Sequence, residues 1–194
     1  MCSIFGIFGL QPGDDIQALR RQSLDCSQRQ RHRGPDWSGV YIDEGGASEG
    51  AILVHERLAI VDPAGGSQPL LSEDRGLALA VNGEIYNHKQ LKAELTQAYA
   101  FQTESDCEVI NALYLEDAPA SFLNRLNGIF AFALWDAGKG RAIIARDPLG
   151  VCPLYWGHDK EGRLRVASEM KSLVDECADV AQFPPGHWYD TATG

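Results

Sequence analysis

The residue best suited to covalent chemistry is Cys2, which directly follows the initiator methionine. Methionine is removed when the next residue is small, so the mature chain is expected to begin with a thiol and a free α-amine on one Cα. An α-amine with a pKa of about 7.7–8.0 can accept a proton near pH 7. One residue then supplies both nucleophile and base, held close by covalent attachment. The alternative is that Cys2 only caps a buried strand.

The elements that must position this residue are strands at both ends of the chain and helices between them. Strands are predicted over residues 3–10, 37–43, 51–60, 77–81, 128–136, 141–146, 154–157 and 164–167. Helices are predicted over 15–30, from residue 87, from residue 105 to Pro119 and over 168–173. Asn87 is expected to cap one helix, and Ser105 with Glu108 to form a capping box. This order favours sheets with helices on their outer faces.

Composition narrows the possible partners. The chain has 194 residues, and 17 Lys+Arg against 27 Asp+Glu give a net charge of −10, which disfavours nucleic acid and anionic membranes. Its longest apolar stretch, 129–135, is far shorter than the ~18 residues of a membrane span. No signal peptide is recognisable. The sequence indicates a single cytoplasmic domain.

Five cysteines without CxxC spacing predict neither a disulfide framework nor a metal site. Reduced thiols of this kind are typical of the cytosol. Cys26, Cys107, Cys152 and Cys177 are expected to pack as small apolar side chains.

Seven segments together resemble the N-terminal glutaminase domain of glutamine-dependent asparagine synthetases, the bacterial B type most closely. They are MCSIFG (1–6), RHRGPDWSG (31–39), HERLAIVD (55–62), NGEIYN (82–87), SDCEVI (105–110), ARDPLG (145–150) and ASEMK (167–171). They occur in the family's order and span essentially the whole chain. Ser3 departs from the glycine of many members, a small change that the fold is expected to tolerate.

The resemblance implies a class II glutamine amidotransferase with the N-terminal nucleophile hydrolase fold. That fold is an α+β, four-layer αββα sandwich, expected here over residues 1–194. In this scheme the Cys2 thiolate attacks the side-chain amide of glutamine and ammonia leaves. Water then hydrolyses the thioester to glutamate, while the α-amine shuttles protons. No cofactor or metal is implied for this domain.

The Asn82-Gly83 dipeptide is expected to form the oxyanion hole. Its position at the end of a predicted strand would let an amide side chain and a backbone N–H point at one spot. The alternative for these two residues is an ordinary Asn-Gly turn.

The resemblance also assigns the substrate pocket. Arg57 would clamp the α-carboxylate of glutamine, for which a planar guanidinium is well shaped. Asp106 would bind the α-ammonium, with Glu84 as a second acceptor. The backbone of Leu58, Ala59, Ile60 and Val61 is expected to line the same pocket. Without the resemblance, Arg57 could instead form a structural ion pair with Glu56 or Asp62, and Asp106 could complement a helix N-terminus.

Two further segments are expected to support the fold rather than the chemistry. Arg33 and Gly34 match the loop that covers the nucleophile in the family. The Arg146-Asp147-Pro148 segment is interpreted as a turn with an ion pair.

No ATP pyrophosphate loop of the synthetase type occurs in the sequence. The chain is therefore interpreted as the glutaminase part of a longer protein, cut near Gly194. A C-terminal synthetase domain in cis would bind ATP and Mg²⁺ and use the ammonia to amidate aspartate. The bacterial family suggests a homodimer. Two alternatives stay open: the glutaminase of another class II amidotransferase, and a non-catalytic domain of the same fold.

Overall fold

The computed structural model describes residues 1–46, 48–59 and 65–194. The strands are β1 (Ser3–Leu10), β2 (Trp37–Asp43), β3 (Gly50–Arg57), β4 (Leu70–Leu71), β5 (Leu77–Ile85), β6 (Gly128–Asp136), β7 (Arg141–Arg146), β8 (Tyr155–His158), β9 (Leu164–Ala167), β10 (Ala181–Gln182) and β11 (Trp188–Asp190). The α-helices are α1 (Ile16–Gln28), α2 (His88–Glu94), α3 (Val109–Glu116) and α4 (Pro119–Phe122). Short 3₁₀ turns cover Arg31–Arg33, Asp106–Glu108, Leu123–Arg125 and Met170–Ser172.

The strands form two antiparallel sheets. The six-stranded sheet has the order β10-β8-β9-β1-β3-β2, and the five-stranded sheet has the order β11-β7-β6-β5-β4. Successive side chains of a strand point to opposite faces, so each sheet has one face for the other sheet and one for helices. The inner faces meet through small residues flanked by larger ones: Ile4, Phe8, Leu53, Ala78, Ala80, Ala131, Ala133 and Trp135.

Helices cover the two outer faces. On the six-stranded sheet, Phe5 and Val54 pack with Leu19 and Cys26 of α1. On the five-stranded sheet, the outward side chains of β5, β6 and β7 pack with Leu91, Val109, Ile110, Leu113 and Phe122 of α2 to α4. The layers therefore run helix, sheet, sheet, helix, and the predicted αββα sandwich is confirmed.

Several predicted bounds need correction. Helix α1 spans 13 residues, Ile16–Gln28, and begins after Asp15, whose carboxylate accepts from the Ala18 amide at 2.9 Å. Strand β3 ends at Arg57, so residues 58 and 59 lie beyond it, and residue 60 lies outside the described part of the chain. The predicted helix over 168–173 is a single 3₁₀ turn, Met170–Ser172.

Two predicted capping interactions are also wrong, because the side chains of Asn87 and Glu108 bond groups other than the predicted helix amides. Asn87 precedes α2, but its side chain bonds the backbone of Arg125 and Asn127 instead of the helix amides. Ser105 does accept from the Cys107 amide at 3.3 Å. Glu108, however, accepts from the amides of residues 102 and 103 and does not return to Ser105. Glu108 therefore fastens the preceding loop instead of completing a capping box.

Among the described residues, no helix is both long and apolar enough to cross a membrane.

Candidate active site

A cavity of about 70 Å³ opens where the start of β1, the end of β3, the second half of β5 and the Asp106–Glu108 turn converge. Its described lining residues are Met1, Cys2, Arg57, Leu58, Gly66, Gln68, Asn82, Gly83, Glu84, Ser105, Asp106, Cys107 and Ile129. The cavity thus brings two thiols, a guanidinium, two side-chain amides and two carboxylates to one place.

The Cys2 thiol is anchored to the chain just beyond β3. Its Sγ accepts from the Leu58 amide at 3.3 Å and lies 3.6 Å from the Leu58 carbonyl oxygen. Burial raises the pKa of the Cys2 thiol above its ordinary value. The Leu58 amide, the chain's terminal ammonium and Arg57 each act in the opposite direction. The thiolate therefore depends on the positive charges around it.

Asn82 and Gly83 lie inside strand β5, which continues to Ile85, so the predicted strand end at residue 81 and the alternative of an ordinary Asn-Gly turn are both wrong. Asn82 is paired with Ala131 and Gly83 with Phe130 of β6. A Cβ at position 83 would lie 2.1 Å from the Ile129 carbonyl oxygen, a contact that no side chain allows. Glycine is therefore required at position 83 because strand β6 approaches closely. A turn at this position would instead have ended strand β5.

The Asn82 side chain is fully buried. Neither its Nδ2 nor its Oδ1 has a hydrogen-bond partner among the described residues. A buried amide without partners costs about 1–3 kcal/mol. Because Asn82 lines the cavity, this unpaired amide is available to a ligand.

The direction of the Gly83 amide follows from its neighbours on β5. The Val81 amide donates to Gln68 Oε1 at 2.8 Å, and the Ile85 amide donates to Asp106 Oδ2 at 2.6 Å. Both N–H groups therefore point away from β6, towards the opposite edge of β5. Hydrogen-bonding direction alternates along an antiparallel strand, so the Gly83 N–H points to that same edge, on the cavity side.

Arg57 and Asp106 are both nearly buried, at 7% exposure each. Arg57 is the last residue of β3, and its side chain points to the cavity. Its neighbour Glu56 points to the opposite face, where it accepts from Ser27 at 2.9 Å. Asp106 is fixed through Oδ2 by the Ile85 amide. A cation-binding and an anion-binding group therefore stand on separate walls of one cavity.

Most of the predicted site residues meet at this cavity: Cys2, Arg57, Leu58, Asn82, Gly83, Glu84 and Asp106. Ala59 is not among the described lining residues, and its amide donates to Asp36 Oδ2 at 2.9 Å. Ile60 and Val61 lie outside the described residues.

Six lining residues were not predicted: Met1, Gly66, Gln68, Ser105, Cys107 and Ile129. Ser105 and Cys107 flank Asp106, and Met1 adjoins Cys2, so sequence adjacency could have indicated these three. Cys107 packs as expected, at 2% exposure, but it also faces the cavity. Burial and the Asp106 carboxylate raise its pKa well above the ordinary value, so this second thiol is the less reactive one.

The Arg146-Asp147 segment is a turn, but the expected ion pair is not among the salt bridges of the described residues. The Arg146 guanidinium donates to the carbonyl oxygens of Gly150, Cys152 and Phe183. Asp147 accepts from the amides of 149, 151 and 152. This segment supports the fold, as predicted, through backbone groups.

Arg33 and Gly34 also support the fold. The Arg33 guanidinium lies 3.5 Å from the Glu169 carboxylate. A Cβ on Gly34 would lie 2.2 Å from the Glu56 carbonyl oxygen, so only glycine lets this loop approach β3.

Comparison with known sequences identifies the family of the chain. The family model described as "Glutamine amidotransferase domain" matches residues 1–191. The chain belongs to this family. The resemblance inferred from the sequence is thereby confirmed, and the domain is that of an enzyme.

Curated relatives are longer proteins. The chain is 54% identical over 188 residues to asparagine synthetase B (glutamine-hydrolysing) of Escherichia coli, covering 97% of this chain and 32% of the relative. It is 47% identical over 194 residues to the glutamine-hydrolysing asparagine synthetase 2 of Oryza sativa, covering 100% of this chain and 31% of the relative. The chain therefore spans about a third of the length of these relatives.

Two solved structures share the fold. Glutamine phosphoribosylpyrophosphate amidotransferase from B. subtilis superposes with a TM-score of 0.74 at 24% identity, over 97% of this chain and 47% of that one. A structure described as the allosteric regulatory enzyme of purine biosynthesis gives a TM-score of 0.73 at 27% identity, over 97% and 46%. The amidotransferase fold is thus confirmed by structure as well as by sequence.

Proposed function

We propose that this domain hydrolyses the side-chain amide of glutamine at Cys2. The observation that carries the proposal is the Asn82 side chain, fully buried on the cavity wall with both polar atoms unpaired among the described residues. A folded chain retains such an amide at a cost of about 1–3 kcal/mol. A substrate oxyanion that accepts from Asn82 Nδ2 explains that cost.

The cavity walls suit the two ends of an amino acid. The Arg57 guanidinium would bind the α-carboxylate by parallel hydrogen bonds. Asp106 Oδ1 and Glu84 would bind the α-ammonium, since Asp106 Oδ2 already accepts from Ile85. A substrate held at both ends would place its side-chain carbonyl between Cys2 and Asn82.

The reaction then follows from these positions. Cys2 Sγ forms a bond to the amide carbon, and the carbonyl oxygen gains charge against Asn82 Nδ2 and the Gly83 N–H. The C–N bond breaks, and the nitrogen leaves as ammonia after receiving the proton that came from the thiol. Water attacks the thioester, releases glutamate and returns the proton to Cys2.

The proton carrier in this proposal is the α-amine of Cys2. With Met1 attached, this nitrogen is an amide of the chain, and Met1 lies on the cavity wall. Removal of Met1 frees the amine beside the thiol. It also moves the terminal positive charge onto Cys2 itself, which lowers the pKa of a thiol that burial raises.

For the whole protein we propose a glutamine-dependent asparagine synthetase. The similarity to such enzymes over about a third of their length supports a C-terminal synthetase domain in cis. That domain would bind ATP and Mg²⁺ and amidate aspartate with the released ammonia. A cytoplasmic location and a homodimer belong to the same proposal, with no membrane or nucleic-acid partner.

The alternatives predict different outcomes. Another class II amidotransferase would share the fold and the glutaminase step but would pass ammonia to a different acceptor. A non-catalytic domain would release no ammonia, and the presence of Cys2, Asn82 and Asp106 on one cavity argues against it.

The test is ammonia and glutamate release from glutamine by the chain with Met1 removed. Cys2→Ser should abolish turnover, because a hydroxyl is a much weaker nucleophile near pH 7. Cys177→Ser is the matched control, since Cys177 is partly buried and does not line the cavity among the described residues. Undiminished turnover in Cys2→Ser would contradict the proposal. Asparagine formation from aspartate, ATP and glutamine by the full-length protein tests the acceptor.

A further inference from the structure

The strand that carries the oxyanion donors is held on one edge by side chains instead of by a strand. Within the described part of the chain, strand β4 pairs only with Ala78 and Leu79 of β5. Farther along β5, the Val81 amide donates to Gln68 Oε1, and the Val81 carbonyl oxygen lies 3.0 Å from His55 Nε2. Val81 directly precedes Asn82, so these two contacts fix the peptide that leads into the oxyanion donors.

The His55 contact crosses between the two sheets. His55 belongs to β3 in the six-stranded sheet, whereas Val81 belongs to β5 in the five-stranded one. A carbonyl oxygen only accepts, so Nε2 carries the proton and donates it. The ring is fully buried, and burial lowers the pKa of His55 to about 4, which keeps the ring neutral at pH 7.

The chain just beyond the end of β3 also holds the nucleophile. Three residues after His55, the Leu58 amide donates to Cys2 Sγ at 3.3 Å. One end of this short segment therefore touches the nucleophile and the other touches the peptide before Asn82. The His55–Val81 hydrogen bond thereby sets the separation of the two groups that must meet across the substrate carbonyl.

The hydrogen bonding of Nδ1 does not explain why a histidine occupies position 55. His55 Nδ1 is buried without a hydrogen-bond partner among the described residues. An apolar side chain at this point would avoid that cost. His55 is also not among the described residues that line the cavity.

We propose that His55 is a positioning residue that aims the Asn82 and Gly83 donors at Cys2 by holding the Val81 carbonyl across the sheet interface. The inference rests on the proposed glutaminase function. A displacement of about 1 Å at a reacting group can cost ~10²-fold in rate. Loss of this contact should therefore lower turnover without weakening the binding of glutamine.

The main variant is His55→Phe, which fills the space of the ring and removes the donor. We expect kcat to fall about 10- to 100-fold, less than the ~10²–10³-fold typical of removing an oxyanion donor outright. KM should stay within about threefold, because no contact to the substrate is lost. His55→Gln can still donate from its amide to Val81 and should recover most of the lost turnover.

A matched control lies at the other end of the same interface. Trp135 Nε1 of β6 donates to Asp43 Oδ2 of β2 at 2.8 Å, again from one sheet to the other. Trp135 is opposite Ala78, four residues and about 13 Å along β5 from Asn82. Trp135→Phe removes a cross-sheet hydrogen bond and should lower stability while leaving kcat within about twofold.

A second readout reports the oxyanion directly. The γ-aldehyde of glutamate adds reversibly to a thiol, and the oxygen formed occupies the oxyanion position. His55→Phe should weaken inhibition by this aldehyde about as much as it lowers kcat. The affinity for glutamate itself should not change.

The outcomes separate the inference from its premise. If His55→Phe and Trp135→Phe show the same turnover and the same inhibition by the aldehyde, the positioning role of His55 is overturned. The glutaminase function is then left intact. A failure of His55→Gln to recover turnover would also overturn the positioning role. If His55→Phe does not fold, that Gln variant decides. A wild-type chain, freed of Met1, that releases no ammonia from glutamine would overturn the proposed function and this inference together.

Discussion

Replacing Asn82 with alanine separates function from stability at one buried side chain. Both polar atoms of this amide lack hydrogen-bond partners among the described residues, so removing it relieves a cost of about 1–3 kcal/mol. The same truncation loses packing contacts, but it enlarges a cavity of about 70 Å³ that is already open. The two effects nearly cancel. We expect the free energy of unfolding to change by no more than about 1 kcal/mol.

Turnover should respond very differently. Loss of one preorganised oxyanion donor costs about 2.7–4 kcal/mol in the transition state, or ~10²–10³-fold in kcat. The ground-state carbonyl carries little charge, so KM for glutamine should stay within about threefold. Initial rates of ammonia release give both constants, and urea unfolding with linear extrapolation gives the stability.

Asn111→Ala is the matched control for Asn82→Ala. Asn111 is equally buried, but its Nδ2 donates to the Leu70 carbonyl oxygen and it lies away from the cavity. Its truncation should destabilise the fold by about 1–3 kcal/mol and leave kcat unchanged. A kcat in Asn82→Ala within threefold of wild type would refute the oxyanion assignment. So would a loss of stability equal to that of Asn111→Ala.

Three other substitutions have defined outcomes. Gly83→Ala should cost about 1–3 kcal/mol of stability and at least tenfold in kcat, because the new Cβ would meet the β6 backbone at 2.1 Å. The control is Gly138→Ala, in an open turn, which should change neither the stability in urea nor the rate of ammonia release. Lowering the pKa of His55 from 6.5 to about 4 corresponds to about 3 kcal/mol. Between these two pH values the unfolded chain takes up the proton and the folded chain does not. As the pH drops from 6.5 to 4, the wild-type free energy of unfolding should therefore fall by that much relative to His55→Gln. An equal pH dependence of urea unfolding in both proteins would contradict this burial effect. Asp106→Asn should raise KM for glutamine at least tenfold, since hydrogen bonds to charged groups are worth about 1.5–3 kcal/mol. The control is Glu108→Gln, which changes a buried carboxylate away from the cavity and should leave KM unchanged. An equal rise of KM in both variants would remove Asp106 from substrate binding.

Local sequence signals located the long elements well because local preference and burial agree there. The strands Ser3–Leu10, Trp37–Asp43 and Gly128–Asp136 have the predicted bounds. In Ser3–Leu10 and Gly128–Asp136 the apolar residues serve both faces of a sheet that is covered on each side, whereas Trp37–Asp43 is a more exposed edge strand. The strands β4, β10 and β11 contain only two or three residues each, too few to show a pattern.

The Asn-Gly dipeptide shows where local preference misleads. Asn82 and Gly83 favour a turn in isolation, but nine consecutive residue pairs with β6 hold them in an extended strand. The glycine serves the close approach of β6 instead of a change of chain direction. Tertiary pairing therefore overrides turn preference at the residues assigned to catalysis.

The site residues were predicted from family motifs more than from residue chemistry. Motifs located Cys2, Arg57 and Asp106, which lie far apart in sequence and meet only in the folded chain. Gln68 belongs to none of the quoted motifs, yet it lines the cavity and binds the Val81 amide. Its role depends on the edge of a sheet, which spacing along the chain does not reveal.

The proposed function requires Cys2, once freed of Met1, as the nucleophile. Intact mass measurement and peptide mapping after treatment with a diazoketone analogue of glutamine test this role of Cys2. We expect a chain without Met1 that gains one equivalent of analogue, located on Cys2, with protection by glutamine. Labelling of Cys107, the other thiol on the cavity wall, or labelling of Cys2 while Met1 is still attached, would contradict it.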